Sequence, residues 1–187
     1  VGNSAIFVQE AKHVIIEMNV SHPEGLEGMH DIYTPAKQGE REPIPMTSVS
    51  DRLGSIGIPV DPEKVMGIVV STDLDAPSTI VPPDAETATI ANHLINFLRG
   101  EIKAGRLTES LAPLQSGVGS VANAVFAGFL DSEFKELEVY SEVLQDAVFD
   151  LIDAGKVKFA SGCSITLAEE KGKQVYGELD KYRDKLV

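Results

Sequence analysis

The 187-residue chain is 43% apolar and 24% charged, an ordinary globular composition that excludes a disordered chain and allows a sizeable core. Its formal net charge of −13, from 29 acidic against 16 basic residues, argues against nucleic-acid and anionic-membrane partners, which call for clustered Lys and Arg. One cysteine, Cys163, excludes an internal disulfide and fits a reducing compartment; no apolar run approaches the roughly 18 residues of a membrane span, and the first residues lack a signal-peptide pattern.

In chain order, Asn3 to Lys12 predicts a short helix, with Ala5, Ile6, Val8 and Ala11 as its apolar positions. His13 to Val20 carries Val14, Ile15, Ile16, Met18 and Val20, an apolar run suited to a buried strand. From Ser21 to Val60 the sequence is rich in Pro, Gly, Ser and charge, too long for an ordinary loop, which points to a functional connection or a domain crossover. Lys64 to Ser71 is a second strand, and Asp73-Leu74-Asp75-Ala76-Pro77 with Pro82-Pro83 marks the handover between domains. Asp84 can cap a helix from Ala85 to Ala104, because Ala88, Ala91, Leu94, Ile95 and Leu98 recur at helical spacing and Gly105 stops it.

The second half alternates. Ser110 to Ser116 is a strand with Pro113 inside it, Val118 to Phe129 a helix, Leu137 to Ser141 a strand, Gln145 to Ala154 a helix stopped at Gly155, Val157 to Ala160 a strand, and Glu169 to Leu186 a charged helix. That rhythm predicts an α/β fold with an open, mostly parallel sheet and flanking helices.

Within it, Leu114-Gln115-Ser116-Gly117-Val118-Gly119 ends a strand at a glycine turn and opens a helix. Gly117 and Gly119 let backbone approach a ligand closely, and the helix start aims its N–H groups and positive dipole end at an anion there. In a parallel sheet the next strand ends on the same carboxyl edge, so Glu142 should face the turn. A carboxylate beside oxyanion donors suggests a covalent acyl intermediate, with the Val118 N–H as the natural donor.

Two motifs, Gln115-Ser116-Gly117-Val118-Gly119-Ser120-Val121-Ala122-Asn123-Ala124-Val125 and Tyr140-Ser141-Glu142-Val143-Leu144-Gln145-Asp146, resemble the acetyl-CoA hydrolase/transferase family of class I CoA-transferases, most of all its succinyl-CoA:acetate CoA-transferase branch. Val1-Gly2-Asn3-Ser4 and Leu26-Glu27-Gly28-Met29-His30-Asp31-Ile32-Tyr33 are also similar to family segments, in the expected order. The resemblance implies a chain taken from the middle of a longer protein. Residues 1–83 would end an N-terminal CoA-transferase domain and carry the interdomain connection; residues 84–187 would begin a similar C-terminal domain.

It further implies CoA transfer between an acyl-CoA and a small carboxylate such as acetate, with Glu142 as nucleophile. An acyl-glutamyl anhydride would form first and a glutamyl-CoA thioester second. Leu114, Gln115, Ser116, Gly117, Val118 and Gly119 would form one wall of the coenzyme A site, no metal would be needed, and the full-length protein would be a cytoplasmic homodimer, or mitochondrial in a eukaryote. Family members complete the oxyanion hole with a downstream glycine-rich loop, and nothing after Leu167 supplies one, so this chain alone should be inactive.

Other readings stay open. Acetyl-CoA hydrolysis would use water as acceptor, and a non-catalytic acyl-CoA-binding or assembly domain would need no nucleophile. Gly117-Val118-Gly119-Ser120-Val121-Ala122 also satisfies the Gly-x-Gly-x-x-Ala dinucleotide fingerprint, with Glu138 near the distance of a ribose-binding acid, as in an NAD-binding domain. His13, His22, His30 and His93 show no zinc spacing. Cys163 reads as a small buried residue, Glu133, Glu136 and Glu138 as a solvated edge, and Gly28 to Tyr33 as a structural or interdomain motif.

Overall fold

A computed structural model describes residues 2–73 and 83–187. The chain divides into two compact units, Val1–Ala76 and Pro77–Val187. Of the predicted handover, Asp73 to Pro77 with Pro82-Pro83, residues 74–82 lie outside the described residues.

In the first unit, helix α1 (Ser4–Glu10) precedes strand β1 (Val14–Asn19), which pairs in parallel with β2 (Val65–Ser71). Ile16 opposes Ile68 and Met18 opposes Val70, so these four residues line one face of the ribbon. The expectation of a buried first strand fails here: Ile15 and Met18 are exposed, as are Met66, Ile68, Val69 and Val70 of β2. Two strands with their own unit's loops cannot cover both faces of a parallel sheet, which is why such sheets normally sit between layers of helix.

The long connection between β1 and β2 buries Met29 and Val49 and is tied together by polar contacts. Ile32 and Ser55 exchange backbone hydrogen bonds of 2.8 and 3.1 Å, and the Asp31 carboxylate accepts the Leu53 and Gly54 N–H groups at 3.0 and 2.6 Å. The predicted His30-Asp31 segment is thus a structural clasp. Asp51 does the same further on, accepting Thr47 N–H, Thr47 Oγ1–H and Ser48 N–H, and these bonds hold its carboxyl below the usual range.

The second unit follows its predicted rhythm closely. Helix α2 (Ala85–Lys103) starts at the expected Asp84, whose side chain accepts the Thr87 N–H while Thr87 Oγ1 accepts the Asp84 N–H, a reciprocal capping box. It stops before Gly105, which takes the left-handed φ of 72° that ends helices. Helices α3 (Ser120–Leu130) and α4 (Asp146–Asp153), strands β3 (Leu137–Leu144) and β4 (Val157–Ile165), and the C-terminal α5 (Glu169–Gly177) and α6 (Leu179–Tyr182) complete it. Ala91 and Ile95 of α2 are buried toward α3, where Gly128 leaves room for Ile95.

β3 and β4 run parallel, and two short segments widen the sheet. Leu114 bridges Val139 in parallel on one side, and Leu186 bridges Ala160 in parallel on the other. The expected strand Ser110 to Ser116 therefore shrinks to one bridging residue, because Pro113 cannot donate to a ladder. The expected helix Glu169 to Leu186 breaks at Glu178 (φ −128°, ψ 31°), and its last residues extend along β4. Leu137, Val139, Leu144, Phe149, Leu151, Val157, Val175 and Tyr182 fill the core, with Tyr182 edge-on to Phe149 at 5.3 Å between centroids.

Candidate active site

β3 is longer than its sequence suggests, running on to Leu144, so Glu142 lies inside the strand rather than just after it. Alternation along the strand buries Leu137, Val139 and Ser141 and leaves Tyr140 and Glu142 exposed on the other face. β4 likewise outruns its predicted end at Ala160, and Cys163, expected to be buried, is exposed on that added length.

The glycine turn is joined to β3 by four hydrogen bonds. The Leu114 N–H donates to Glu138 O at 2.7 Å, and the Tyr140 N–H donates to Leu114 O at 2.8 Å. The next rung is made by a side chain: Ser141 Oγ donates to Ser116 O at 2.9 Å and accepts the Ser116 N–H at 3.3 Å. With Leu114 level with Val139 and Ser116 level with Ser141, one residue further along the two chains lie Gly117 and Glu142. Leu114, Gln115, Ser116 and Gly117 therefore run beside the stretch Val139 to Glu142, at the carboxyl end of the sheet.

Inside the turn, Gln115 Nε2 donates to Ser116 O at 3.0 Å and Ser116 Oγ donates to Gly117 O at 3.1 Å. Gly119 is the N-cap of α3 with φ 140° and ψ 169°, a conformation open to glycine and few other residues. Having no side chain, it caps none of the first N–H groups of α3, which leaves that helix end as a donor surface. Val118, beside it, is 70% exposed.

Glu138 stands elsewhere. It is the second residue of β3, roughly 13 Å before Glu142 at about 3.3 Å per residue, and its carboxylate meets Lys158 Nζ at 3.3 Å. A ribose-binding acid belongs at the carboxyl end of its strand, so the dinucleotide reading loses its second element. Among the described residues, no group of three or more His, Cys, Asp and Glu side chains gathers as a metal site. A cavity of about 440 Å³ in the first unit, lined by Val8, Lys37 and Lys64 among others, holds none of the predicted site residues.

The Ser116–Ser141 link is the part of this site that motif reading missed. Its signal was present, a hydroxyl residue immediately before the candidate glutamate, but a strand serine carries no information about which backbone it meets.

No family model matches the chain. Over its whole length it is 44% identical to acetyl-CoA hydrolase from Candida albicans and 42% identical to acetyl-CoA hydrolase from Saccharomyces cerevisiae, covering 35% of each. It is 40% identical to succinyl-CoA:acetate CoA-transferase from Clostridium kluyveri, again over all of this chain and 35% of that one. Among solved structures, RipA from Yersinia pestis matches 92% of this chain with 32% of its own, at a TM-score of 0.56 and 19% identity. A 4-hydroxybutyrate CoA-transferase from Porphyromonas gingivalis matches 90% of this chain with 35% of its own, at a TM-score of 0.50 and 18% identity, a likeness of fold. Over its whole length the chain is similar to acetyl-CoA hydrolases and to a succinyl-CoA:acetate CoA-transferase, and it spans 35% of the length of the curated relatives quoted above.

Proposed function

We propose that the full-length protein moves CoA between an acyl-CoA thioester and a small carboxylate, with Glu142 as the nucleophile. The observation that carries the reading is the shared register of the Ser116-Gly117 turn and the Ser141-Glu142 pair at one sheet end. A carboxylate is a weak nucleophile, so orientation and stabilisation of the tetrahedral oxyanion must lower the barrier.

Glu142 attacks the thioester carbonyl, the C–S bond breaks, and CoA leaves as thiolate from an acyl-glutamyl anhydride. The thiolate then attacks the glutamyl carbonyl and releases the acyl group as a free carboxylate. The acceptor carboxylate takes CoA from the resulting glutamyl-CoA thioester by the same steps in reverse. The Val118 N–H donates to the oxyanion, and Leu114 to Gly119 form a wall against the CoA thiol arm. Residues 1–83 and 84–187 contribute the end of one CoA-transferase domain and the start of the next, and the whole protein works as a dimer.

Mass spectrometry of the full-length protein after incubation with acetyl-CoA or succinyl-CoA tests this. A CoA adduct on the Glu142 peptide is expected, and Glu142→Gln should lose adduct and transfer while keeping CoA affinity within a few fold. Normal turnover in Glu142→Gln overturns the assignment. Acetyl-CoA hydrolysis is the second reading, favoured by the names of the two yeast relatives. Turnover that persists at full rate with every carboxylate acceptor withheld selects it.

A further inference from the structure

We propose that Ser141 is a positioning residue for this reaction: its hydroxyl sets the height of the oxyanion turn against Glu142. The proposal rests on the reading of Glu142 as nucleophile. The geometry supplies the rest.

Ser141 is only 8% exposed, and its single hydroxyl engages both polar groups of one peptide position, donating to Ser116 O at 2.9 Å and accepting the Ser116 N–H at 3.3 Å. It does so where the backbone ladder stops. The rungs through Leu114, at 2.7 and 2.8 Å, hold the segment to β3, and beyond them Ser141 Oγ is the remaining tie to β3 among the described residues before the chain turns at Gly117. Ser116 Oγ donates its one hydrogen to Gly117 O, so the Ser116 side chain has no hydrogen left to donate to β3. A further backbone rung would keep the segment extended alongside β3 and delay the turn. A hydroxyl clamp holds the segment at the same level yet lets the chain leave the sheet.

Ser141 and Glu142 are neighbours on one rigid strand, the first turned inward to the clamp and the second outward to solvent. Any slip of the turn along β3 therefore changes the distance between the glutamyl carbonyl and the donors that follow Ser116. A misplacement of about 1 Å in such an arrangement costs about 100-fold in rate. The loss falls on steps that build the oxyanion, anhydride and thioester formation alike, and leaves ground-state binding of CoA largely alone.

The test compares Ser141→Thr, which keeps the hydroxyl, with Ser141→Val, its near-isostere without one, and Ser141→Ala, all in the full-length protein. Rates of CoA-adduct formation, kcat and KM for CoA transfer, CoA affinity and thermal midpoint are measured together. Ser141→Thr should stay within a few fold of the parent, while Ser141→Val and Ser141→Ala lose about 10- to 100-fold in adduct formation and kcat. KM and CoA affinity should move less than about threefold, since the lost interaction acts in the transition state.

Equal rates in Ser141→Thr and Ser141→Val overturn the proposal. So does a loss expressed in KM alone, or failure of both Ser141→Val and Ser141→Ala to fold, because either outcome makes the hydroxyl a binding or structural requirement. Glu142→Gln serves as the control for the underlying reading. Full activity in Glu142→Gln sinks the nucleophile, whereas an inactive Glu142→Gln beside a fully active Ser141→Val sinks only the clamp.

Discussion

Gly162 of β4 lies directly against Leu144 of β3: a Cβ added to Gly162 would come within 2.6 Å of Leu144 Cγ and 3.1 Å of both its methyl carbons. Leu144 is 1% exposed and closes the core at the end of the strand that carries Glu142. Gly162→Ala must therefore push a buried branch point, not a free chain end, and overpacking of that kind costs about 1–3 kcal/mol. Urea unfolding should show that loss. Unchanged stability would mean that Leu144 has another rotamer to adopt without cost.

Gly54 offers the opposite kind of test, because the obstacle there is backbone. A Cβ on Gly54 would meet Ile32 C and O at 2.3 Å and Tyr33 N at 2.6 Å, and none of these can rotate away. Gly54→Ala should break the Ile32–Ser55 pairing and free the Leu53 and Gly54 N–H groups from Asp31. Amide exchange at Ser55 and Ile32 should accelerate well before global unfolding. Protection equal to that of the parent at both amides would disprove it.

The legibility of this chain in its sequence tracks where information is local. The start of α2 was readable because Asp84 and Thr87 act within one turn, and its end because Gly105 takes a positive φ. The joins of the sheet were not, because pairing is set by partners far along the chain: Leu186 reaching Ala160, or Ser141 reaching Ser116. The apolar residues of β1 and β2 were read correctly as strand, and those of β1 wrongly as buried, since an apolar run marks a strand and not what covers it. Glu142 became a candidate through its place at a strand end beside the glycine turn and through the motif around it. An exposed glutamate on a strand has no physical mark of its own in the sequence.

Acid should loosen one specific join. Arg99 of α2 makes a two-pronged contact with Glu133, Nε to Oε1 and the second guanidinium nitrogen to Oε2, both at 2.7 Å. Hydrogen bonding from Arg99, then from the Glu133 backbone N–H, with smaller contributions from the Arg99 and Lys156 charges, pulls the Glu133 carboxyl from 4.5 down to about 2. A group depressed on folding contributes stability that is fully present above its unfolded value and lost as pH falls through its folded one. The contribution is thus complete above pH 4.5 and gone near pH 2. Both side chains are well exposed, so the effect is small and falls further with salt. Thermal midpoints across that window should drop less steeply for Arg99→Ala than for the parent at low ionic strength, and parallel curves would show that the pair is energetically silent.

The two glycines of the turn should behave differently although neither is crowded. A Cβ on Gly117 or on Gly119 meets nothing within 4 Å, so space does not separate them. Conformation does. Gly119 sits at φ 140°, where an L-residue is strained by about 1–3 kcal/mol, while Gly117 shows no such positive φ. Gly117→Ala should be neutral or slightly stabilising, because alanine narrows the unfolded ensemble at a compatible position. Gly119→Ala should lower stability, and relief of its strain moves the peptide that carries the neighbouring Val118 carbonyl and shifts the start of α3. Under the proposed mechanism its rate of CoA-adduct formation in the full-length protein should then fall by more than its CoA affinity. Gly117→Ala should show the reverse balance, since any cost there comes from a methyl group on the wall that CoA approaches. Equal stability of the two variants would contradict the strained conformation at Gly119, and equal effects on adduct rate and affinity in both would contradict the division of labour within the turn.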